Sequence, residues 1–177
     1  KKKIIEYVIA DAADSRLVRM DLVAFANETA SESPAPGGGS IAAYAGALGA
    51  SLGAMVANLS AGKRGWEEQT AYFSEVAVQF QTIKDGLLRL VDADTRAFDG
   101  IMQAFALPKG TDEEKKARSA AIQAATQVAI ETPLQTMRLA YESFVPLAAM
   151  IEKAIRTASP TLVWGCFAHV PLCTPLG

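Results

Sequence analysis

An all-α fold, an up-and-down bundle of long antiparallel helices, follows from three features of the 177-residue chain. Alanine is very common, while β-branched and aromatic residues are sparse outside a few stripes, a composition that favours helix. The longest stripe runs Tyr72, Val76, Phe80, Ile83, Leu87, Leu90, Phe98, Ile101 and Phe105, in steps of three and four with one eight-residue gap. No segment sustains period-two alternation, so no strand is expected. The length suits one domain with a sizeable core, and 50% apolar with 20% charged residues is a globular composition.

Residues 1–12, led by three lysines, read as a linker or short helix, and 13–157 as the helical domain. Asp21 can cap a helix over about 22–30, with Leu22, Val23 and Phe25 as apolar contacts. The loop 31–39 holds two prolines and three consecutive glycines, so no helix passes through it. Ser40 is then the expected N-cap of a small-sided helix to Ala61. On that helix Gly46, Gly49 and Gly53 would let a second backbone approach closely. Gly62 and Gly65 bracket Lys63 and Arg64 and end it. A long helix is predicted from about Trp66 to Ala106, with Asp85/Arg89 and Asp92/Arg96 as solvated i,i+4 pairs on its polar face. Asp99 also falls off the apolar stripe and reads as solvated. After the turn Leu107-Pro108-Lys109-Gly110, Thr111 and Glu114 form a capping box opening a helix to about Glu142. Pro133 is expected to kink that helix, and Pro146 to break the chain before a short helix to about Arg156.

The net charge of −2 and the lack of a long basic run argue against a nucleic-acid surface. The apolar stretch after Gly39 is long enough to span a bilayer, but Ala, Gly and Ser dominate it, so no membrane partner is expected. Glu6 and Asp11 interrupt any signal-peptide core, which points to a cytoplasmic location. Cys166, His169 and Cys173 lie in a Pro-rich tail that offers no frame for a metal site.

Chemistry concentrates at two places. Asp94 fills the gap in the apolar stripe between Leu90 and Phe98. A carboxylate there is costly to bury without a partner. It suits a general acid/base, or else is an aspartate satisfied by a helix cap or an arginine. Pro36, Gly37, Gly38, Gly39 and Ser40 put backbone N–H groups at a helix start, where an anion can bind, or simply shape a tight turn. The three glycines alone are no nucleotide fingerprint, because no strand precedes them and no Lys-Ser/Thr follows. Lys63 and Arg64 form a basic pair that could hold ligand carboxylates or be a solvated helix end. Tyr44 and Trp66 could stack on a flat heterocycle or pack in the core, and Lys109 reads as an exposed turn residue.

Four segments, in order and compatibly spaced over roughly 15–155, go further: S-P-A-P-G-G-G-S at 33–40, M-V-A-N-L-S at 55–60, L-V-D-A-D-T-R-A-F at 90–98 and L-P-K-G-T-D-E-E-K at 107–115. The chain resembles the formiminotransferase-cyclodeaminase and methenyltetrahydrofolate cyclohydrolase family. That resemblance implies a homodimer-forming helical domain that closes 5-formiminotetrahydrofolate to 5,10-methenyltetrahydrofolate and releases ammonia. The setting it implies is one-carbon metabolism and histidine degradation. It implies Asp94 as the catalytic acid, the loop 36–40 as part of the folate site, and no metal or redox cofactor. It also makes the N-terminal segment look like the linker after a fused formiminotransferase half. The alternatives are a methenyltetrahydrofolate cyclohydrolase and a non-catalytic assembly domain of a larger folate enzyme.

The resemblance stops near Arg156. The family pattern continues with a Gly-Asn turn, an Asp-Ala-Gly-Val-Gly helix start and a long Ala-rich helix, whereas 158–177 is Pro-rich without helical period. Suitable codons for this tail, read one base out of phase, encode S-D-A-G-V-G-L-L-C-A-R-A-A-M-H-A-P, close to the family segment. A one-base frameshift is therefore expected, with impaired activity and no role for Cys166, His169 or Cys173.

Overall fold

The computed structural model describes residues 17–157; the N-terminal linker, the tail with its cysteines and histidine, and the expected frameshift all lie outside them. The described chain is helical throughout: a 3-10 turn at Leu17–Arg19, α1 (Leu22–Thr29), α2 (Gly38–Ala61), a second 3-10 turn at Glu67–Gln69, α3 (Thr70–Ala106), α4 (Asp112–Glu142) and α5 (Phe144–Thr157). The all-α expectation is met, and no strand occurs among the described residues.

The helix ends follow local chemistry, with instructive departures. Asp21 caps α1 by accepting from the Ala24 N–H at 2.7 Å. Thr111 and Glu114 cap α4 reciprocally, as the capping box requires. Gly37, not Ser40, is the N-cap of α2; Ser40 lies three residues inside, fully buried, with its hydroxyl turned toward α3. The residues Trp66–Gln69 form a turn instead of the first turn of α3. Pro133 stays inside a continuous α4. Pro146 falls in the first turn of α5, where the missing N–H has no helical partner to lose.

The bundle is built on α2 against α3. Small residues on α2 receive large ones from α3: a Cβ at Gly53 would meet the Phe80 ring, and one at Gly46 would lie 3.3 Å from Leu87 Cδ1. These contacts, with Ser40 against Asp94, pair rising numbers on α2 with falling numbers on α3, so the helices are antiparallel. The close approach made possible by Gly46 and Gly53 is therefore taken up by aromatic and leucine side chains of the same chain, and only Gly49 faces outward. Phe73, Phe80, Leu87 and Val91 are almost completely buried. Trp66 stacks on Phe73 at 5.5 Å and Tyr44 packs on Phe25 at 5.3 Å, so both candidate stacking residues serve the interior.

Asp92 overturns its reading as a solvated i,i+4 partner. It is 6% exposed, and its carboxylate accepts from the Leu17 N–H at 2.7 Å and the Val18 N–H at 3.4 Å. The N-terminal turn folds over the helix face that periodicity alone assigns to water. Removing one partner of such a buried bond costs about 1–3 kcal/mol. Asp85 pairs with its neighbour Lys84 at 3.0 Å.

α4 packs back along α3, with Leu139 beside Gly86 and Arg118 beside Phe105. Because α2 begins opposite Asp94, the rest of α3 runs on past it for about 18 Å at 1.5 Å per residue. This overhang and the start of α4 form a two-helix arm, and the step at its base positions the site.

Candidate functional site

Asp94 sits where the loop 33–37 enters α2, a loop that includes a cis Ala35–Pro36 bond. Its Oδ2 accepts from the Ser40 backbone N–H at 2.9 Å and from the Ser40 hydroxyl at 3.2 Å. The single proton of that hydroxyl is shared with the Val91 carbonyl, the nearer acceptor at 2.8 Å, and the oxygen lies 3.5 Å from Thr95 Oγ1. Asp94 is thus a cap supplied by a neighbouring helix: α3 lends a carboxylate to one of the unpaired N–H groups opening α2, where the helix dipole also favours negative charge. Asp92, two residues earlier and on the opposite face, does the same for the N-terminal 3-10 turn. D-A-D is a pair of caps pointing to opposite sides of one helix.

The cap reading of Asp94 is met here. The carboxylate is satisfied by a helix start, and it also borders a cavity. The cleft, about 180 Å³, is lined by Asp94 and Thr95, by Phe98 and Ile101 of α3, by Pro34 and Gly37 of the loop, and by Ala129 of α4. Gly39 is what allows the carboxylate so close, since a Cβ there would collide with it. Pro133 has no N–H, so the Ala129 carbonyl beside the cleft lacks its usual i+4 helical donor. The arrangement holds one carboxylate in fixed orientation against a half-open cleft with apolar and polar walls, a geometry in which it could exchange a proton with a bound molecule.

The structure brings together Asp94, Gly37, Gly39 and Ser40, with Pro36 and Gly38 in the same loop and first turn. It does not bring in Lys63 and Arg64. They follow the far end of α2, a 24-residue helix and so about 36 Å away, and Lys63 Nζ rests 4.1 Å from the centre of the Trp66 ring. The basic groups nearer the cleft lie on the arm and carry little signal in the sequence. Arg118 donates to the Phe105 carbonyl at 3.1 Å, and it lines a second cavity with Lys109 and Lys115.

Fold and site define a helical-bundle protein with a cleft beside Asp94 where α2 begins. The chain belongs to the formiminotransferase-cyclodeaminase family, which residues 21–166 match. It is 42% identical over 134 residues to a formimidoyltransferase-cyclodeaminase of Gallus gallus, covering 75% of this chain and 25% of that one. It is equally 42% identical over 129 residues to a methenyltetrahydrofolate cyclohydrolase of Methylorubrum extorquens, covering 73% and 62%. The crystal structure of formiminotetrahydrofolate cyclodeaminase from Thermotoga maritima superposes with a TM-score of 0.63 at 26% identity, over 83% of this chain and 67% of that chain. The chain spans a quarter of the length of its avian relative and under two thirds of its bacterial one.

Proposed function

We propose that this chain is a cyclodeaminase unit that converts 5-formiminotetrahydrofolate to 5,10-methenyltetrahydrofolate and ammonia. The observation that carries the reading is Asp94, fixed by Ser40 at the wall of a cleft that also presents Phe98 and Ile101. Relatives named for this chemistry support it. N10 of the substrate attacks the formimino carbon, forming the N10–C bond and a tetrahedral aminal. The proton lost from N10 passes to the carboxylate, and the carboxyl group delivers a proton to the exocyclic nitrogen. The C–N bond then breaks, ammonia leaves, and the remaining amidinium carries the positive charge. One proton is taken up from solvent overall. No electron changes hands, so the step as written calls for no redox cofactor.

Absorbance of the methenyl product tests the reading. The expected result is a rise in methenyl absorbance with 5-formiminotetrahydrofolate, matched by ammonia release. Loss of absorbance from 5,10-methenyltetrahydrofolate with no ring closure would favour the cyclohydrolase reading instead, consistent with the bacterial relative. No change with either substrate, in folded protein, would favour the assembly-domain reading.

The homodimer belongs to the same proposal. α2 carries no charged residue, and the face it turns away from α3 presents Leu48, Leu52, Met55, Val56 and Leu59, each between 44% and 68% exposed. By length and composition α2 could also cross a membrane, but a second copy laid antiparallel and centred on Leu52 would set Gly49 against Met55 and Ala45 against Leu59, small against large. Sedimentation velocity is expected to show a dimer for the native chain and a monomer for Leu52→Glu. A native chain that sediments as a monomer would overturn this part. Fusion to a formiminotransferase half, as in the relatives that this chain matches over a quarter of their length, completes the proposed setting in cytoplasmic one-carbon metabolism.

A further inference from the structure

The arm beyond Asp94 is a graded surface, and its gradient runs from a carboxylate to cations. On α3, Phe98, Ile101 and Phe105 follow Asp94 in steps of four, three and four residues, which keeps them on one helical face. Phe98 and Phe105 are 40% and 51% exposed. On α4, Arg118, Ile122 and Ala129 are spaced four and seven apart, again on one face. The two faces adjoin at both ends. Ala129 borders the Asp94 cleft together with Phe98 and Ile101. Eleven residues along α3, about 16 Å away, the Arg118 guanidinium donates to the Phe105 carbonyl and lies 5.6 Å from its ring.

At that outer end is the second cavity, about 350 Å³, lined by Lys109, Lys115, Arg118, Ser119, Ile122 and Gln123. Three cations and no carboxylate line it. Lys115 is paired with Asp112 at 2.8 Å, so the charge it brings to the cavity is partly offset by that neighbouring carboxylate. Lys109 and Arg118 are the principal anion-binding groups.

Resting on the cyclodeaminase reading, we propose that this second cavity is the subsite for the glutamyl carboxylates of the substrate. Its heterocycle lies in the Asp94 cleft, its benzamide crosses Phe98, Ile101 and Phe105, and its glutamate meets Arg118 and Lys109. An extended pteridine–benzamide–glutamate rod has this polarity: a flat polar head, an aromatic middle and an anionic end. Arg118, already anchored through the Phe105 carbonyl, presents its remaining N–H groups in a fork suited to a carboxylate. Within one chain the Lys63–Arg64 pair lies at the opposite end of α2; the antiparallel dimer would bring the partner's Lys63 near the start of α2, so this pair is the rival anion site that the comparison variant tests.

The test uses two stable probes, 5-formyltetrahydrofolate and 5-formyltetrahydropteroate, which differ only in the glutamate. Binding of each to the full chain is measured by titration calorimetry. The variants are Lys109→Gln/Arg118→Gln and, for comparison, Lys63→Gln/Arg64→Gln, with circular dichroism confirming the fold. Charge-assisted bonds of the usual strength predict that the native chain prefers the glutamate probe by about tenfold or more. Lys109→Gln/Arg118→Gln is expected to erase that preference while leaving pteroate binding unchanged, and Lys63→Gln/Arg64→Gln to leave it intact. Equal binding of both probes by the native chain overturns the subsite while the folate reading stands. So does a preference that survives the arm substitutions or falls with Lys63→Gln/Arg64→Gln. Failure of both probes to bind the native chain overturns the folate reading and the subsite with it.

Discussion

Asp94→Asn is expected to lower the rate of ring closure by about 10²–10⁴-fold, the usual contribution of a positioned general acid/base, while leaving the fold in place. The two effects separate because Asp94 caps α2 in the structure and, in the proposed mechanism, also carries a proton. As a cap, it needs only an acceptor, and Oδ2 supplies one to the Ser40 N–H at 2.9 Å and to the Ser40 hydroxyl at 3.2 Å. The asparagine carbonyl oxygen can take over both bonds in the same place. As a proton carrier, Asp94 has to gain and release a proton, which an amide cannot do at neutral pH. Substrate affinity is expected to change little, since the cleft walls of Phe98, Ile101, Pro34 and Ala129 are untouched. Initial rates from methenyl absorbance, alongside thermal unfolding of the same sample, read the two duties apart. A variant that keeps the native rate removes Asp94 from the mechanism; one that unfolds shows that its capping role dominates.

Asp94 was legible because it breaks a stripe. The gap between Leu90 and Phe98 singles out one position; the cap interpretation describes the bond to Ser40, and the acid interpretation is the one the proposed function takes up at the adjoining cleft. Asp92 was not legible, because its partner is the Leu17 N–H, 75 residues away, and helical periodicity says nothing about which distant segment folds over a polar face. Ser40 misled for a related reason. A serine ahead of an apolar run is a cap signal, but a glycine can serve as N-cap with no side chain at all. Gly37 does so, freeing Ser40 to bond Val91 and Asp94. The spacing of Gly46, Gly49 and Gly53 promised a close approach without naming the visitor, which for two of the three is a side chain of α3. Lys63 and Arg64 stood out as a basic pair that could hold ligand carboxylates, yet an unbroken helix of 24 residues separates them from the glycine loop within one chain. Arg118 carried a weak signal, its one-face spacing from Ile122 and Ala129, which gains meaning only once α3 and α4 are known to form a projecting arm.

Gly39→Ala is expected to damage the site nearly as much as loss of the Asp94 carboxyl, and to destabilise the protein as well. On helix propensity alone the change is favourable by roughly 0.5–1 kcal/mol, and Gly39 does not have the positive φ that would forbid it. The obstacle is Asp94: a Cβ built on Gly39 falls onto its carboxylate, and carboxylate and helix start cannot both keep their places. If Asp94 swings away, Ser40 loses its acceptor at the buried entrance to α2. If α2 shifts instead, Ala43, Ala47 and Ala50 lose their fit against α3, where they are almost fully buried. Overpacking of this kind costs about 1–3 kcal/mol, more than the propensity gain. Gly38→Ala is the matched comparison, one residue earlier in the same turn, because a Cβ there meets nothing within 4 Å. It is expected to be neutral or slightly stabilising and to keep the native rate. Urea unfolding and initial rates on the two variants test the close approach directly. If Gly39→Ala matches Gly38→Ala in both measurements, the carboxylate is not held where the Ser40 bonds place it, and the geometry assigned to the acid is wrong.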